Sequence, residues 1–148
     1  MKNIAIITGA SSGFGREFVY QVAAKYESID EIWVIARRKE RLEELRSQVN
    51  VNIVPIALDL TKDESFDIIN QKLEEEKPNI KVLVNASGFG YFKAFIDRPL
   101  DDWMRLIDLN DKALVKLNYL SIPYMQSGAH IYNIASTSAF QPVPYINV

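Results

Sequence analysis

Gly9, Gly13 and Gly15 follow the first apolar run of the chain, within the segment Thr8-Gly9-Ala10-Ser11-Ser12-Gly13-Phe14-Gly15. Gly9 permits a tight turn, Gly13 lets backbone approach a pyrophosphate, and Gly15 allows a helix to pack closely on a strand. A helix that begins here points its free N–H groups at phosphates. The spacing predicts a dinucleotide-binding turn, and the alternative is a loop that only turns the chain. No Gly-Lys-Ser/Thr follows, which argues against a nucleotide-hydrolysing phosphate loop.

A basic pair, Arg37-Arg38, follows the second apolar run, which ends at Ala36. Proteins selective for NAD carry an acid here that bonds the ribose hydroxyls, and Ala36 cannot do so. Arg37 can pair with a 2′-phosphate through charge-assisted hydrogen bonds. We therefore expect NADP(H) to be preferred, with NAD(H) as the alternative cofactor. The competing interpretation is that Arg37 and Arg38 simply begin a solvated helix.

Short apolar runs alternate with longer amphipathic segments along the chain. The runs predict strands at residues 4–7, 32–36, 51–58, 82–84 and 131–135, and Pro55 makes the third an edge or irregular strand. The amphipathic segments predict helices at residues 14–26, 39–49, 63–77 and 100–125. The last helix has so many apolar positions that we expect it to be buried on more than one side.

This alternation predicts an α/β fold in which a parallel sheet carries helices on both faces. Right-handed crossovers make it a doubly wound Rossmann fold with strand order 3-2-1-4-5, in one domain over residues 1–148. Ligand is then expected at the carboxyl ends of the strands.

Composition narrows the classes of function. The net charge is -2, from 17 basic and 19 acidic residues, which predicts neither a nucleic-acid nor a membrane partner. The chain has no cysteine and one histidine, His130. No acidic residue or serine stands at a spacing from His130 that indicates a shared site, so we predict no metal site. The first apolar run is too short for a signal peptide or a membrane span, and we expect a cytoplasmic protein.

Five motifs in order along the chain resemble those of the short-chain dehydrogenase/reductase family. They are Thr8-Gly9-Ala10-Ser11-Ser12-Gly13-Phe14-Gly15, Asp59-Leu60, Asn85-Ala86-Ser87-Gly88, Asn110 and Asn133-Ile134-Ala135-Ser136. The resemblance covers the whole chain and implies an NADP-preferring oxidoreductase that moves hydride between a nicotinamide and a small carbonyl or alcohol substrate. It also implies cofactor contacts from Gly9, Ser11, Ser12, Gly13, Phe14, Gly15, Arg37, Asp59, Leu60, Asn85, Ala86 and Gly88.

Individual roles follow from the same resemblance. Asp59 holds the adenine ring with Leu60 packed nearby, although Asp59 could equally be a helix N-cap or loop acid. Asn85 matches the first asparagine of the family's Asn-Asn-Ala-Gly element, and Ala86 replaces the second, so we expect the strand-bracing bonds of that side chain to be missing. Gly88 lets backbone lie against the cofactor ribose.

Two residues are candidates for catalysis. By resemblance, Asn110 kinks its helix and supports a water in a proton relay, whereas an exposed helical asparagine is the alternative. Ser136 donates a hydrogen bond to the substrate carbonyl. Ser138 competes with Ser136, which fits the register better, and a serine after a strand is otherwise a turn residue.

The family's general acid, a tyrosine followed four residues later by a lysine, falls just past Val148. Tyr145 comes too early, and no lysine follows Lys116. We therefore expect a C-terminally truncated chain that binds cofactor without catalysing hydride transfer. We also expect apolar surface to be left uncovered beside strand five and the long helix. Such surface favours self-association, so we expect a homo-oligomer. The alternative is a non-catalytic dinucleotide-binding or redox-sensing module. A methyltransferase is disfavoured because no acid ends strand two.

Overall fold

Five strands carry the fold in the computed structural model, which describes residues 1–141, 143–146 and 148. They are β1 (Asn3–Thr8), β2 (Glu31–Ala36), β3 (Asn52–Ala57), β4 (Asn79–Asn85) and β5 (Met125–Asn133). All pair in parallel, in the order β3-β2-β1-β4-β5. The predicted doubly wound sheet and its strand order are confirmed.

Helices lie on both faces of this sheet, as expected. They are α1 (Gly13–Lys25), α2 (Lys39–Glu43), α3 (Asp63–Glu76), α4 (Leu100–Ile107) and α5 (Ala113–Ser121). One core layer joins α1 and α2 to the sheet through residues such as Val19 and Leu42. The other joins α3 and α5 through residues such as Phe66 and Leu117. β1, β2 and β4 each contain a run of three or more apolar residues, because both of their faces are covered.

The predicted helix at residues 39–49 is shorter than expected. α2 ends at Glu43, and the chain continues as a 3₁₀ turn over Glu44–Ser47. The tighter turn brings residues three apart onto one side. Leu42 and Leu45, which have this spacing, are both fully buried.

The predicted helix at residues 100–125 is interrupted and ends early. A π-helical turn, Asp108–Lys112, separates α4 from α5, and Pro123 lies in a 3₁₀ turn just after α5. The expectation that this helix is buried on more than one side is wrong. Leu117 is buried, but Tyr119 is 79% exposed on the outer face.

β5 is longer than the predicted strand at residues 131–135 and begins at Met125. Its register with β4 shifts after Met125, and Gly128 lies in the left-handed region (φ 87°). β5 is an edge strand, and Ile131 within it and Ile134 just after it are both partly exposed. Apolar surface is therefore uncovered beside β5 and α5.

Candidate dinucleotide-binding site

The glycine turn joins β1 to α1 and packs against the loop after β4. Gly9 has a positive φ (67°), and a Cβ there would lie 2.5 Å from the carbonyl oxygen of Ala86. A Cβ on Gly15 would lie 2.4 Å from the carbonyl oxygen of Gly9. Gly13 also has a positive φ (55°), but a Cβ there would meet nothing within 4 Å. Gly9 and Gly15 thus permit close backbone packing, and the space beside Gly13 is open.

A cleft of about 350 Å³ opens beside this turn, at the carboxyl ends of β1, β2, β3 and β4. It brings together all the predicted cofactor-binding residues except Gly15 and Asn85. Its lining consists of Gly9, Ser11, Ser12, Gly13, Phe14, Ala36, Arg37, Arg38, Leu58, Asp59, Leu60, Thr61, Ala86, Ser87, Gly88, Phe89, Arg105 and Leu109.

The first turn of α1 faces this cleft. Within the described residues, the side chain of Ser12 makes no capping hydrogen bond to the start of the helix. The first N–H groups of a helix have no partner within the helix, and they carry the positive end of its dipole. The turn can therefore donate hydrogen bonds to a phosphate in the cleft.

Cationic side chains line the end of the cleft at β2. Arg37 and Arg38 follow Ala36 directly, and Nη2 of Arg38 donates a hydrogen bond to Oγ of Ser11 at 3.3 Å. Arg105, on α4, also lines the cleft. Arg105 was not predicted as a site residue, because nothing in the local sequence pattern places it at the cleft.

Asp59 is a carboxylate at the same end of the cleft. Partial burial raises the pKa of Asp59. Hydrogen bonds from the backbone N–H and the hydroxyl of Thr61, together with the charges of Arg37 and Arg105, lower this pKa and outweigh the effect of burial. The net pKa of Asp59 lies below its ordinary value, and the group is an anion at neutral pH. Leu60 beside it is buried and lines the cleft.

Thr8 ties the loop after β4 to β1, and sequence reasoning gave it no role. Its Oγ1 accepts hydrogen bonds from the backbone N–H groups of Ala86 at 3.1 Å and Ser87 at 3.0 Å. These bonds hold the segment that leads to Gly88 against the glycine turn. The feature of the sequence that could have indicated this role is a hydroxyl-bearing residue at the end of β1.

Asn85 is buried and does not line the cleft. Its Nδ2 donates to Oδ1 of Asn118 on α5 and to Oδ1 of Asn133 at the end of β5, each at 2.8 Å. The brace between these elements is therefore supplied by Asn85 itself, although Ala86 replaces the second asparagine of the motif. Asn118 was not selected from the sequence.

Asn110 lies in the π-helical turn and clamps the loop after β4. Its Oδ1 accepts a hydrogen bond from the N–H of Phe89 at 3.0 Å, and its Nδ2 donates to the carbonyl oxygen of Phe89 at 2.8 Å. A Cβ on Gly88 would lie 3.2 Å from Asn110 Oδ1. Asn110 therefore sets the position of the backbone beside the cleft.

Ser136 follows β5 at the same edge of the sheet and is the N-cap of a 3₁₀ turn, Thr137–Ala139. Its Oγ accepts a hydrogen bond from the N–H of Ser138 at 3.1 Å. It is exposed and does not line the cleft. The two predicted catalytic residues, Asn110 and Ser136, are therefore not brought together with the cofactor-binding residues in one cavity.

Among the residues that the structure describes, no group of three or more His, Cys, Asp or Glu side chains could hold a metal ion. None of the helices over the same residues combines the length and the apolar character needed to cross a bilayer.

Comparisons with known proteins extend this description. The family model described as short chain dehydrogenase matches residues 3–148. Sulfoacetaldehyde reductase 2 from Chromohalobacter salexigens is 33% identical over 153 residues, covering 97% of this chain and 58% of that protein. NADP-dependent 3-hydroxy acid dehydrogenase YdfG from Escherichia coli K12 is 31% identical over 152 residues, covering 98% and 58%.

Among solved structures, the closed form of serine dehydrogenase complexed with NADP+ is 29% identical, with a TM-score of 0.82. The match covers 96% of this chain and 57% of that one. The chain thus spans somewhat under three fifths of the length of these relatives. The family match over nearly all of its residues shows that the chain belongs to the short chain dehydrogenase family.

Proposed function

We propose that the cleft binds NADP(H) in preference to NAD(H). The observation that carries this proposal is the end of β2, where Ala36 offers no carboxylate and Arg37 and Arg38 both line the cleft. A guanidinium can pair with a 2′-phosphate through two charge-assisted hydrogen bonds. Two of the similar proteins support it by their names, one being NADP-dependent and one complexed with NADP+.

The residues of the cleft fit such a cofactor along its length. The open space beside Gly13 and the uncapped first turn of α1 suit a pyrophosphate. Asp59 and Leu60 suit the adenine ring, and the backbone near Gly88 suits the second ribose. When bound, the nicotinamide supplies or accepts the hydride.

The reaction that we propose for the whole protein is hydride transfer between nicotinamide and a small carbonyl or alcohol substrate. Ser136 donates a hydrogen bond to the substrate oxygen, where negative charge develops. Asn110 positions the loop after β4 through Phe89 and so shapes the cofactor side of the site. One of the relatives is named a reductase and another a dehydrogenase. These names support this class of reaction and leave its direction open.

A proton donor for the substrate oxygen is the missing part of this mechanism. No lysine follows Lys116 in the printed sequence, so these 148 residues contain no Tyr-x-x-x-Lys after Ser136. We therefore propose that the 148-residue chain binds cofactor without turning it over.

We also propose that the chain self-associates through the outer face of α5. Val115 and Tyr119 on α5 and Ile122 in the turn directly after it are all exposed, and exposed apolar side chains at this spacing are typical of interfaces. Sedimentation velocity across a concentration series tests this, and a monomer at every concentration contradicts it.

Isothermal titration calorimetry tests the cofactor proposal directly. We expect NADPH to bind the chain at least about tenfold more tightly than NADH, because one charge-assisted pair to the 2′-phosphate contributes at least that factor. Equal affinities, or tighter binding of NADH, would overturn the assignment of Arg37 and Arg38.

A further inference from the structure

The loop after β4 places an aromatic side chain in the lining of the cleft. Phe89 lines the cleft next to Gly88, and Asn110 holds the backbone of Phe89 through two hydrogen bonds. These bonds fix the main chain but leave the ring free to choose among rotamers. The direction of the Phe89 ring therefore depends on the side chains that pack against it.

Tyr91 packs against the ring of Phe89. The two centroids are 5.1 Å apart at an angle of 78°, which is the edge-to-face arrangement that aromatic pairs favour. Tyr91 meets Trp103 of α4 in the same way, at 5.8 Å and 83°. Trp103 is buried, and its Nε1 donates a hydrogen bond to the carbonyl oxygen of Phe95 at 3.0 Å. Tyr91 thus connects a fixed side chain of α4 to the ring that lines the cleft.

Arg98 covers a face of the Tyr91 ring. Its guanidinium carbon lies 3.6 Å from the ring centroid, well within the range of a cation–π contact. Nη2 of Arg98 pairs with Oδ2 of Asp102, in the first turn of α4, at 3.0 Å. Both side chains are partly buried, so solvent screens this pair less than it screens an exposed one. Arg98 therefore holds Tyr91 from a face, while Trp103 and Phe89 contact it edge to face.

One nitrogen of Arg98 shows that stability alone does not account for this residue. Its Nε is buried and has no hydrogen-bond partner among the described residues. Burying an unpaired polar group costs free energy, and a methionine could cover the Tyr91 ring without that cost. A planar guanidinium held in one orientation by Asp102 fixes the plane of the ring more tightly than a flexible apolar chain does. The arrangement therefore favours precision of the Tyr91 ring over stability of the loop.

Phe89 and Arg37 lie towards opposite ends of the cleft. The strands are ordered β3-β2-β1-β4, so Arg37 after β2 and Phe89 after β4 stand on either side of the glycine turn that follows β1. With a 2′-phosphate at Arg37 and a pyrophosphate at the glycine turn, the nicotinamide riboside falls beside Gly88 and Phe89. Arg98 does not line the cleft, so its contacts reach a bound cofactor through Tyr91 and Phe89.

We propose that Arg98 is a positioning residue for the nicotinamide half of the cofactor, acting through Tyr91 on the ring of Phe89. The proposal rests on the proposed function, since the cleft must bind NADP(H), and it adds a role for a side chain outside the cleft. It follows that Arg98 changes the affinity for the whole dinucleotide and not the affinity for its adenosine half.

Isothermal titration calorimetry with two ligands tests this consequence without turnover. NADPH is the whole cofactor, and 2′,5′-ADP is the adenosine half, which carries the 2′-phosphate and lacks the nicotinamide riboside. Arg98→Met, which keeps an apolar cover on Tyr91, should weaken NADPH binding roughly threefold to tenfold, because it removes the cation–π contact. It should leave 2′,5′-ADP binding within about twofold of the parent, because Arg37 and the glycine turn are untouched.

The matched control is Arg46→Met. Arg46 is ion-paired with Glu43 at 2.8 Å and does not line the cleft, so neither affinity should change. Asp102→Asn keeps the guanidinium and loosens only its ion pair. It should weaken NADPH binding about twofold to threefold with no effect on 2′,5′-ADP, which gives an independent measurement if Arg98→Met does not fold.

A double-mutant cycle tests the route through Tyr91. In a Tyr91→Leu background, Arg98→Met should change NADPH affinity by less than about 1.5-fold, because the ring through which Arg98 acts is gone. A full effect of Arg98→Met in that background overturns the proposal, since Arg98 then acts on the cofactor by another route.

The results with two ligands separate this proposal from the cofactor assignment. If Arg98→Met weakens both ligands equally, or weakens neither, the positioning role is wrong and the cofactor site stands. If the parent binds 2′,5′-ADP as tightly as NADPH, the nicotinamide half makes no productive contact, which also overturns the proposal alone. If the parent binds neither ligand, the proposed function fails and the role of Arg98 fails with it.

Discussion

Asn85 Nδ2 lies 2.8 Å from Asn133 Oδ1 and joins the ends of β4 and β5 through their side chains. The same nitrogen bonds Oδ1 of Asn118, so one amide ties two strands to α5. Asn85 is only 5% exposed, and little water can replace these partners. The loops that follow β4 and β5 therefore begin at residues that these hydrogen bonds hold in place.

Asn85→Ala should destabilise the fold by about 1–3 kcal/mol, because it removes two hydrogen bonds that each contribute about 0.5–1.5 kcal/mol. Urea denaturation followed by circular dichroism measures this loss. Asn70→Ala, on the outer surface of α3, is the control and should change the free energy of unfolding by less than about 0.5 kcal/mol. Equal, small effects for both variants would contradict the bracing role.

At the opposite end of the sheet, Glu31 connects the beginnings of three strands. Its carboxylate accepts hydrogen bonds from Lys2 Nζ at 2.7 Å, Asn52 Nδ2 at 3.2 Å and Trp33 Nε1 at 3.4 Å. Burial raises the pKa of Glu31, but these bonds and the charge of Lys2 outweigh burial, so the net pKa lies below its ordinary value.

This lowered pKa predicts how stability depends on pH. The folded state binds the Glu31 proton more weakly than the unfolded state does, so the contribution of Glu31 is fully present above the unfolded pKa. It is lost as the pH falls below about 4. The free energy of unfolding of Glu31→Gln should fall less steeply than that of the parent between about pH 5 and pH 3. Parallel pH profiles for parent and variant would argue against this coupling.

The contribution of Arg37, at the end of β2, to cofactor selectivity can be tested by reversing its charge. Arg37→Glu should weaken NADPH binding roughly 10- to 100-fold, because it replaces a charge-assisted pair by repulsion, and it should weaken NADH binding much less. Isothermal titration calorimetry measures both affinities. Arg41→Glu, an exposed arginine on α2 outside the cleft, makes the same change in charge and should affect neither cofactor strongly. An equal loss for NADPH and NADH with Arg37→Glu would remove the basis for NADP preference.

The sequence predicts the sheet and the glycine turn well because both depend on local patterns. Continuous apolar runs mark β1, β2 and β4, whose two faces are covered, and Gly9 and Gly15 occupy positions where a side chain would collide with backbone. The strand order then follows from connection rules that hold for most parallel sheets.

The sequence does not predict contacts that depend on register between distant segments. Asn133 meets Asn85 because β5 shifts its register after Met125, and that shift has no local signature beyond Gly128. Arg105 on α4 lines the same cleft as Asp59, which is 46 residues earlier in the chain, and no local pattern indicates this proximity. The 3₁₀ turn at Ser136 likewise depends on how the chain leaves β5, which apolar periodicity does not describe.

The last prediction is that the 148-residue chain does not catalyse hydride transfer. Ser136 can hold a substrate oxygen and Asn110 can position the adjoining loop, but neither supplies the proton that a reduced carbonyl oxygen must receive. Loss of general acid catalysis alone lowers the rate by about 10²–10⁴-fold. We expect no consumption of NADPH, followed by its absorbance, with a panel of ketones and aldehydes that includes acetophenone.

The matched comparison is a version of the chain extended through the gene's reading frame beyond Val148, assayed with the same panel. Turnover only in the extended version would support the proposed mechanism. Tyr145→Phe, which keeps the ring and removes the hydroxyl, tests whether Tyr145 is a proton donor. If the 148-residue chain turns over and Tyr145→Phe abolishes it, then Tyr145 is the proton donor and the general acid has been placed wrongly.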